Sequence, residues 1–171
     1  MEDIDAHAVL TAIPLFAETL DARQLDHLAA QCEPAFFPAG TFLISEGDFG
    51  DSMFAIVSGE ASVTLHDARG DEHGVASIRP GEIVGEMSLL TGMPRNATVK
   101  ALSDGEVLEV DKAALANVLW MSPDLVERFV EMLFRRQGEL DRAAGGLAWG
   151  TMRPGKAELA EMIQKFYQRT E

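Results

Sequence analysis

From residue 4 to residue 31 apolar positions recur at helical spacing, broken once at Ile13-Pro14-Leu15-Phe16, because proline cannot continue a helix interior. Thr19 or Asp21 is placed to cap a second helix through Leu25, Leu28 and Ala29. From Gly40 to Gly105 the character changes. Ten of the fifteen glycines fall in this window, which implies frequent turns between short strands. Residues 41–44, 53–57, 61–66, 75–78, 97–102 and 106–110, rich in β-branched and aromatic side chains, are strand candidates. Val63 and Leu65 alternate with Ser62, Thr64 and His66 as in a half-buried strand, and the polar run 67–74 reads as a hairpin tip. Asp111 then caps a helix through Ala114, Leu115, Val118 and Leu119. Ser122-Pro123-Asp124 starts a longer helix that carries Leu125, Val126, Phe129, Val130, Met132 and Leu133 and extends to Arg142. Gly145-Gly146 marks a break, and residues 157–167 read as a last amphipathic helix with Leu159, Met162, Ile163, Phe166 and Tyr167 on one face. The pattern is α+β: short strands that argue a sandwich or closed barrel, with helices on both sides of it in the chain.

Composition narrows the class. With 171 residues, 47% of them hydrophobic, one domain with a real core is expected. The net charge of −14 repels DNA and anionic lipid. A single cysteine, Cys32, forms no internal disulfide, which fits a reducing compartment. The acidic first residues do not make a signal-peptide start, and the longest uncharged run, 6–17, is too short to span a bilayer. A cytoplasmic location without membrane contact is the expectation. The four histidines, His7, His27, His66 and His73, are scattered without metal-site spacing. No nucleophile elbow, phosphate-loop lysine motif or paired catalytic carboxylates appear, so an enzyme is not expected.

The stretch from residue 84 to residue 101, Val-Gly-Glu-Met-Ser-Leu-Leu-Thr-Gly-Met-Pro-Arg-Asn-Ala-Thr-Val-Lys-Ala, carries candidate chemistry. Gly85 and Glu86 end an apolar strand-like run, about one helical turn follows, and a Thr-Gly-Met-Pro turn delivers Arg95. A glycine that lets backbone approach a ligand, a helix start and one arginine are the parts of a phosphate site. Glu86 would repel phosphate, unless it accepts a hydrogen bond from a sugar hydroxyl while Arg95 neutralises the phosphate. A ligand with both groups is a nucleotide. Arg95 is one of only five basic residues between 41 and 121, and its expected role lies outside the core.

This stretch resembles the phosphate-binding cassette of the cyclic nucleotide-binding domains, the family of the catabolite activator protein and the regulatory subunits of cyclic-AMP-dependent kinase. The resemblance covers roughly residues 10 to 142. It implies an eight-stranded jelly roll and a non-catalytic receptor for cyclic AMP or cyclic GMP, without metal or cofactor. Arg95 would take the cyclic phosphate, with the Ala97 amide and Asn96 beside it. Glu86 would accept the ribose 2′-hydroxyl, with Gly85 leaving room for the sugar. Val84, Met87, Ser88 and Thr98 complete the expected contacts; Met53, Ile78, Ile83 and Leu89 join Val84 and Met87 as core or pocket wall. A hydroxyl residue directly after the arginine inclines some family members to cyclic GMP; Asn96 stands there, which leaves the base open, with cyclic AMP the expected ligand. Asp141 falls where family members cap the base, and is either a base-reading carboxylate or a solvated surface residue. Any lid over the base would come from the helix after Pro123.

The expected organisation is a binding domain over 1–142 and an extension over 143–171. The domain divides into a helical lead-in (1–39), the jelly roll (40–110) and C-terminal helices (111–142). The 29 residues after Arg142 are too few for the winged helix-turn-helix of the catabolite-activator branch, so a protein partner on the C-terminal helices is expected rather than DNA. The apolar face from Leu125 to Leu133 either covers the strands or forms a homodimer. The alternative function is a protein-interaction module of the same fold, with the 157–167 helix as its docking surface.

Overall fold

A computed structural model describes the backbone of residues 4–143 and 155–168, and the side chains of 4–135 and 155–168. The expected N-terminal helical run is three short helices, α1 (Ala6–Thr11), α2 (Pro14–Ala17) and α3 (Ala22–Ala29). Pro14 opens α2 at a position where its missing N–H costs nothing. Asp21, not Thr19, caps α3. Its Oδ1 accepts from the Gln24 amide at 2.8 Å while the Gln24 side chain accepts from the Asp21 amide at 2.9 Å, a reciprocal capping box.

Eight strands follow: β1 (Glu33–Phe37), β2 (Phe42–Ile44), β3 (Ser52–Ser58), β4 (Ala61–His66), β5 (Glu72–Ile78), β6 (Ile83–Val84), β7 (Thr98–Ala101) and β8 (Gly105–Asp111). They form two four-stranded antiparallel sheets, ordered β1-β8-β3-β6 and β2-β7-β4-β5. This is the jelly-roll α+β architecture. Two details depart from the sequence reading. Strand β1 lies inside the stretch assigned to the helical lead-in: it pairs with β8 along its whole length, and as an edge strand it tolerates Pro34. The β4–β5 hairpin tip is shorter than 67–74, because β5 already begins at Glu72. Asp67 folds the remaining turn by accepting from the amides of Arg69 and Asp71.

The hydrophobic interior has two parts. Phe37, Ile44, Ile56, Val84, Val99 and Val107 pack between the sheets. A larger cluster joins the helices to the outer side of β3 and β8, and includes Phe16, Leu28, Met53, Leu108, Leu115, Phe129 and Leu133. After β8 come α5 (Lys112–Met121), capped by Asp111 through the Ala114 amide at 2.8 Å, and α6 (Leu125–Ala143). Between Leu125 and Leu133 the apolar face of α6 is buried within the chain, with Phe129 edge-on to Phe16 at 6.3 Å. That face therefore covers this chain's own core and is not free to pair with a second copy.

The last helix, α7 (Lys156–Phe166), buries Leu159 and Ile163 completely and packs on α6. It also packs on the short helix α4 (Glu86–Thr91). Of its expected apolar face, Met162 and Phe166 are only partly buried. The Gly145-Gly146 break lies outside the described residues.

Candidate functional site

Strand β6 ends at Val84, and Gly85 turns the chain into α4 with a left-handed φ of 86°. A side chain there has no room: a Cβ would lie 2.7 Å from the Arg95 guanidinium and 3.1 Å from the Ser52 carbonyl oxygen. All six residues of α4 are buried, Glu86 among them at 4% exposure. Gly92 ends the helix at φ 74°, again in the left-handed region.

The loop after Gly92 brings Arg95 back to Gly85. Its backbone is clipped to the loop between β2 and β3. The Arg95 amide donates to the Asp48 carbonyl, and Gly47 donates to the Arg95 carbonyl, each at 2.8 Å. The guanidinium is buried, contrary to the expectation that Arg95 works outside the core. Its Nη1 donates to the Ser52 carbonyl at 2.6 Å and the Gly85 carbonyl at 3.3 Å, and Nη2 to the Ser52 hydroxyl at 3.3 Å. Gly50 makes room for it, since a Cβ there would sit 2.6 Å from Nη2. Burial pulls the Arg95 pKa below the ordinary guanidinium value, and the carboxylates of Asp51, Glu109 and Glu86 oppose that shift. Its hydrogen-bond partners among the described residues are neutral oxygens. They orient the cation, and no carboxylate among the described residues pairs with it directly.

One cleft gathers Val84, Gly85, Glu86, Met87, Arg95, Asn96 and Ala97. Its other walls are apolar: Ile44 of β2, Val63 and Leu65 of β4, Val75 and Ile78 of β5, Ile83 and Val99. Two expected residues point elsewhere. Ser88 is buried inside α4 and does not line the cleft, and the Thr98 hydroxyl accepts from the Glu46 amide at 3.0 Å. The Asp141 side chain lies outside the described residues. Of the undivided apolar candidates, Ile78, Ile83, Val84 and Met87 line the cleft, whereas Met53 and Leu89 are wholly buried in the large core cluster. The sequence reading missed Gly50 and Ser52, which seat the arginine, and the walls Ile44, Val63, Leu65, Val75 and Val99. Alternation in β4 marked Val63 and Leu65 as facing inward, but nothing local said that their inner face meets a cleft. Helix α6 contacts β5, the strand that supplies Val75 and Ile78.

Among the described residues no group of three or more histidine, cysteine, aspartate or glutamate side chains is placed to hold a metal ion. No helix among them is long and apolar enough to cross a membrane.

Arg95, Glu86 and Gly85 converge beside a short helix of a jelly roll, and the family model described as "Cyclic nucleotide-binding domain" matches residues 34–120. The chain belongs to that family. Among similar proteins is a cyclic nucleotide-gated potassium channel of Rhizobium etli, 31% identical over 76% of this chain and 35% of its own length. A CRP-like cAMP-activated global transcriptional regulator of Mycobacterium tuberculosis is 26% identical over 81% of this chain and 62% of its own length. The crystal structure of the N-terminal domain of a transcriptional regulator from Streptomyces coelicolor A3(2) superposes with a TM-score of 0.63 at 30% identity, covering 79% of this chain and 94% of that one. The chain thus spans between about a third and under two thirds of the length of these two curated relatives, which are a regulator and a channel.

Proposed function

We propose that this chain is a receptor for a 3′,5′-cyclic nucleotide, with cyclic AMP preferred, and that it performs no chemistry on the ligand. The observation that carries the reading is Arg95: a buried cation, held by neutral oxygens, opening on the same cleft as Gly85 and Glu86. Arg95 takes the cyclic phosphate, with Asn96 and the Ala97 amide beside it. Glu86 accepts from the ribose 2′-hydroxyl, and the apolar walls receive the sugar and base. The cyclic AMP named for the tuberculosis regulator supports that base. The apolar lining suits a ligand with one charge and one polar edge, not a polyphosphate.

Occupancy is passed to the C-terminal helices, since α6 contacts the β5 wall of the cleft and is the element placed to lie over the base. A cytoplasmic protein partner reads that movement. The acidic net charge of −14 favours such a partner over DNA or an anionic membrane.

Equilibrium binding of cyclic AMP to the wild-type chain and to Glu86→Gln and Arg95→Lys tests the assignment. Both variants are expected to lose at least tenfold in affinity, Arg95→Lys because an ammonium reproduces neither the fork on Ser52 nor the phosphate contact. Wild-type affinity in both would remove the two residues from the site.

A further inference from the structure

Helix α4 has two ends, and only one belongs to the cleft. Six residues make too short a helix to hold its own shape, so its position is set by what packs around it. Its first residue, Glu86, lines the cleft; its far end is covered by the last turn of α7. Phe166 packs against Gly92, where a Cβ would stand 2.6 Å from the ring. The Tyr167 hydroxyl donates to the Leu89 carbonyl, one of the α4 carbonyls left without a partner inside the helix. Burial pushes the phenol well above its ordinary pKa, so the group stays a donor. The Tyr167 carbonyl in turn accepts from Trp120 Nε1 at 2.8 Å, and the Lys112 ammonium sits 4.0 Å from the centre of the Phe166 ring. Both partners belong to α5, so the end of α7 joins α4 to α5.

We propose that Phe166 and Tyr167 are positioning residues for the nucleotide site, holding α4 from behind so that docking of α7 and binding of ligand favour one another. The inference rests on the reading of the cleft given above. The docked arrangement is the one in which Gly85, Glu86, Arg95, Asn96 and Ala97 share one cleft, so it is the binding-competent one. A form with α7 undocked leaves the Leu89 carbonyl buried without that donor and frees α4 to shift, which moves Glu86. Apparent affinity falls with the fraction of competent molecules. Linkage makes the effect reciprocal: ligand at the Glu86 end must tighten α7 at the other. The signal then reaches α7 through α4 directly, in addition to any route through α6.

The full chain carrying Tyr167→Phe keeps the ring and loses only the donor. Cyclic AMP affinity is expected to fall about three- to tenfold, the range for one buried hydrogen bond. In the wild type, cyclic AMP is expected to slow amide exchange across residues 156–167. A merely structural tyrosine would lower the melting temperature and leave affinity unchanged; that result, or α7 exchange in the wild type that cyclic AMP leaves unchanged, overturns the inference. A wild-type chain that binds neither cyclic nucleotide overturns the reading of the cleft and this inference with it, whereas binding that is identical in wild type and Tyr167→Phe overturns this inference alone.

Discussion

Gly85 is a hinge between backbone shape and charge placement. Its φ of 86° starts α4, and its missing side chain lets the Arg95 guanidinium come close enough to donate to its carbonyl. Gly85→Ala should therefore fail twice. A left-handed alanine costs about 1–2 kcal/mol, and the new methyl displaces Arg95. Urea unfolding should report the first, and a loss of more than tenfold in cyclic AMP affinity the second; a variant that keeps both at wild-type values contradicts the geometry. Arg95→Ala is expected to weaken cyclic AMP binding by about 2–4 kcal/mol. Because the arginine is buried against Ser52 and Gly85, the same change should also lower unfolding free energy by about 1–3 kcal/mol, the cost of buried acceptors left unsatisfied. Calorimetry and urea unfolding on one sample separate the two losses. Gly85, Glu86 and Arg95 were legible in the sequence because one continuous stretch, 85–95, carries them all. Gly50 and Ser52 were not: they reach Arg95 from 43 or more positions away, and nothing around them distinguishes a glycine that seats a guanidinium from one that turns the chain.

Among the elements, strands with an apolar or alternating run were readable, the edge strand β2 among them, whereas the exposed edge strand β1 was not. Strand β4 has the bounds that its alternation implies. Strand β1 exposes four of its five residues and contains a proline, so its existence depends on β8 and leaves no local pattern. Helix α7 was visible as an amphipathic segment, but its docking site was not, because amphipathicity states that a face is covered and not by what. The answer, α6 and α4, gives the extension a measurable share in stability. Ile163 is completely buried, so Ile163→Ala should cost about 2–5 kcal/mol in urea unfolding. A loss below about 0.5 kcal/mol, the size of an ordinary surface change, would mean that α7 does not pack as described.

On the scale of the whole molecule, the cleft opens on strands of both sheets while α4 and α6 tie it to the helical side. Ligand that binds only the folded form must stabilise all of it: at a hundred times its dissociation constant, cyclic AMP should add about 2.7 kcal/mol to unfolding, read as a rise in melting temperature that Arg95→Ala abolishes. The central claim is tested most directly by calorimetric titration of the unmodified chain with cyclic AMP, cyclic GMP and 5′-AMP. A ligand with on the order of 20 heavy atoms at about 0.3 kcal/mol each reaches about 6 kcal/mol, and the charge-assisted contacts of Arg95 and Glu86 should carry cyclic AMP to micromolar affinity or tighter. The open monoester of 5′-AMP brings a second negative charge into a cleft that already holds Glu86, and should bind at least tenfold more weakly. Micromolar heat with cyclic AMP and little with 5′-AMP is the predicted result; no heat with either cyclic nucleotide at millimolar concentration, or 5′-AMP bound as tightly as cyclic AMP, would contradict it.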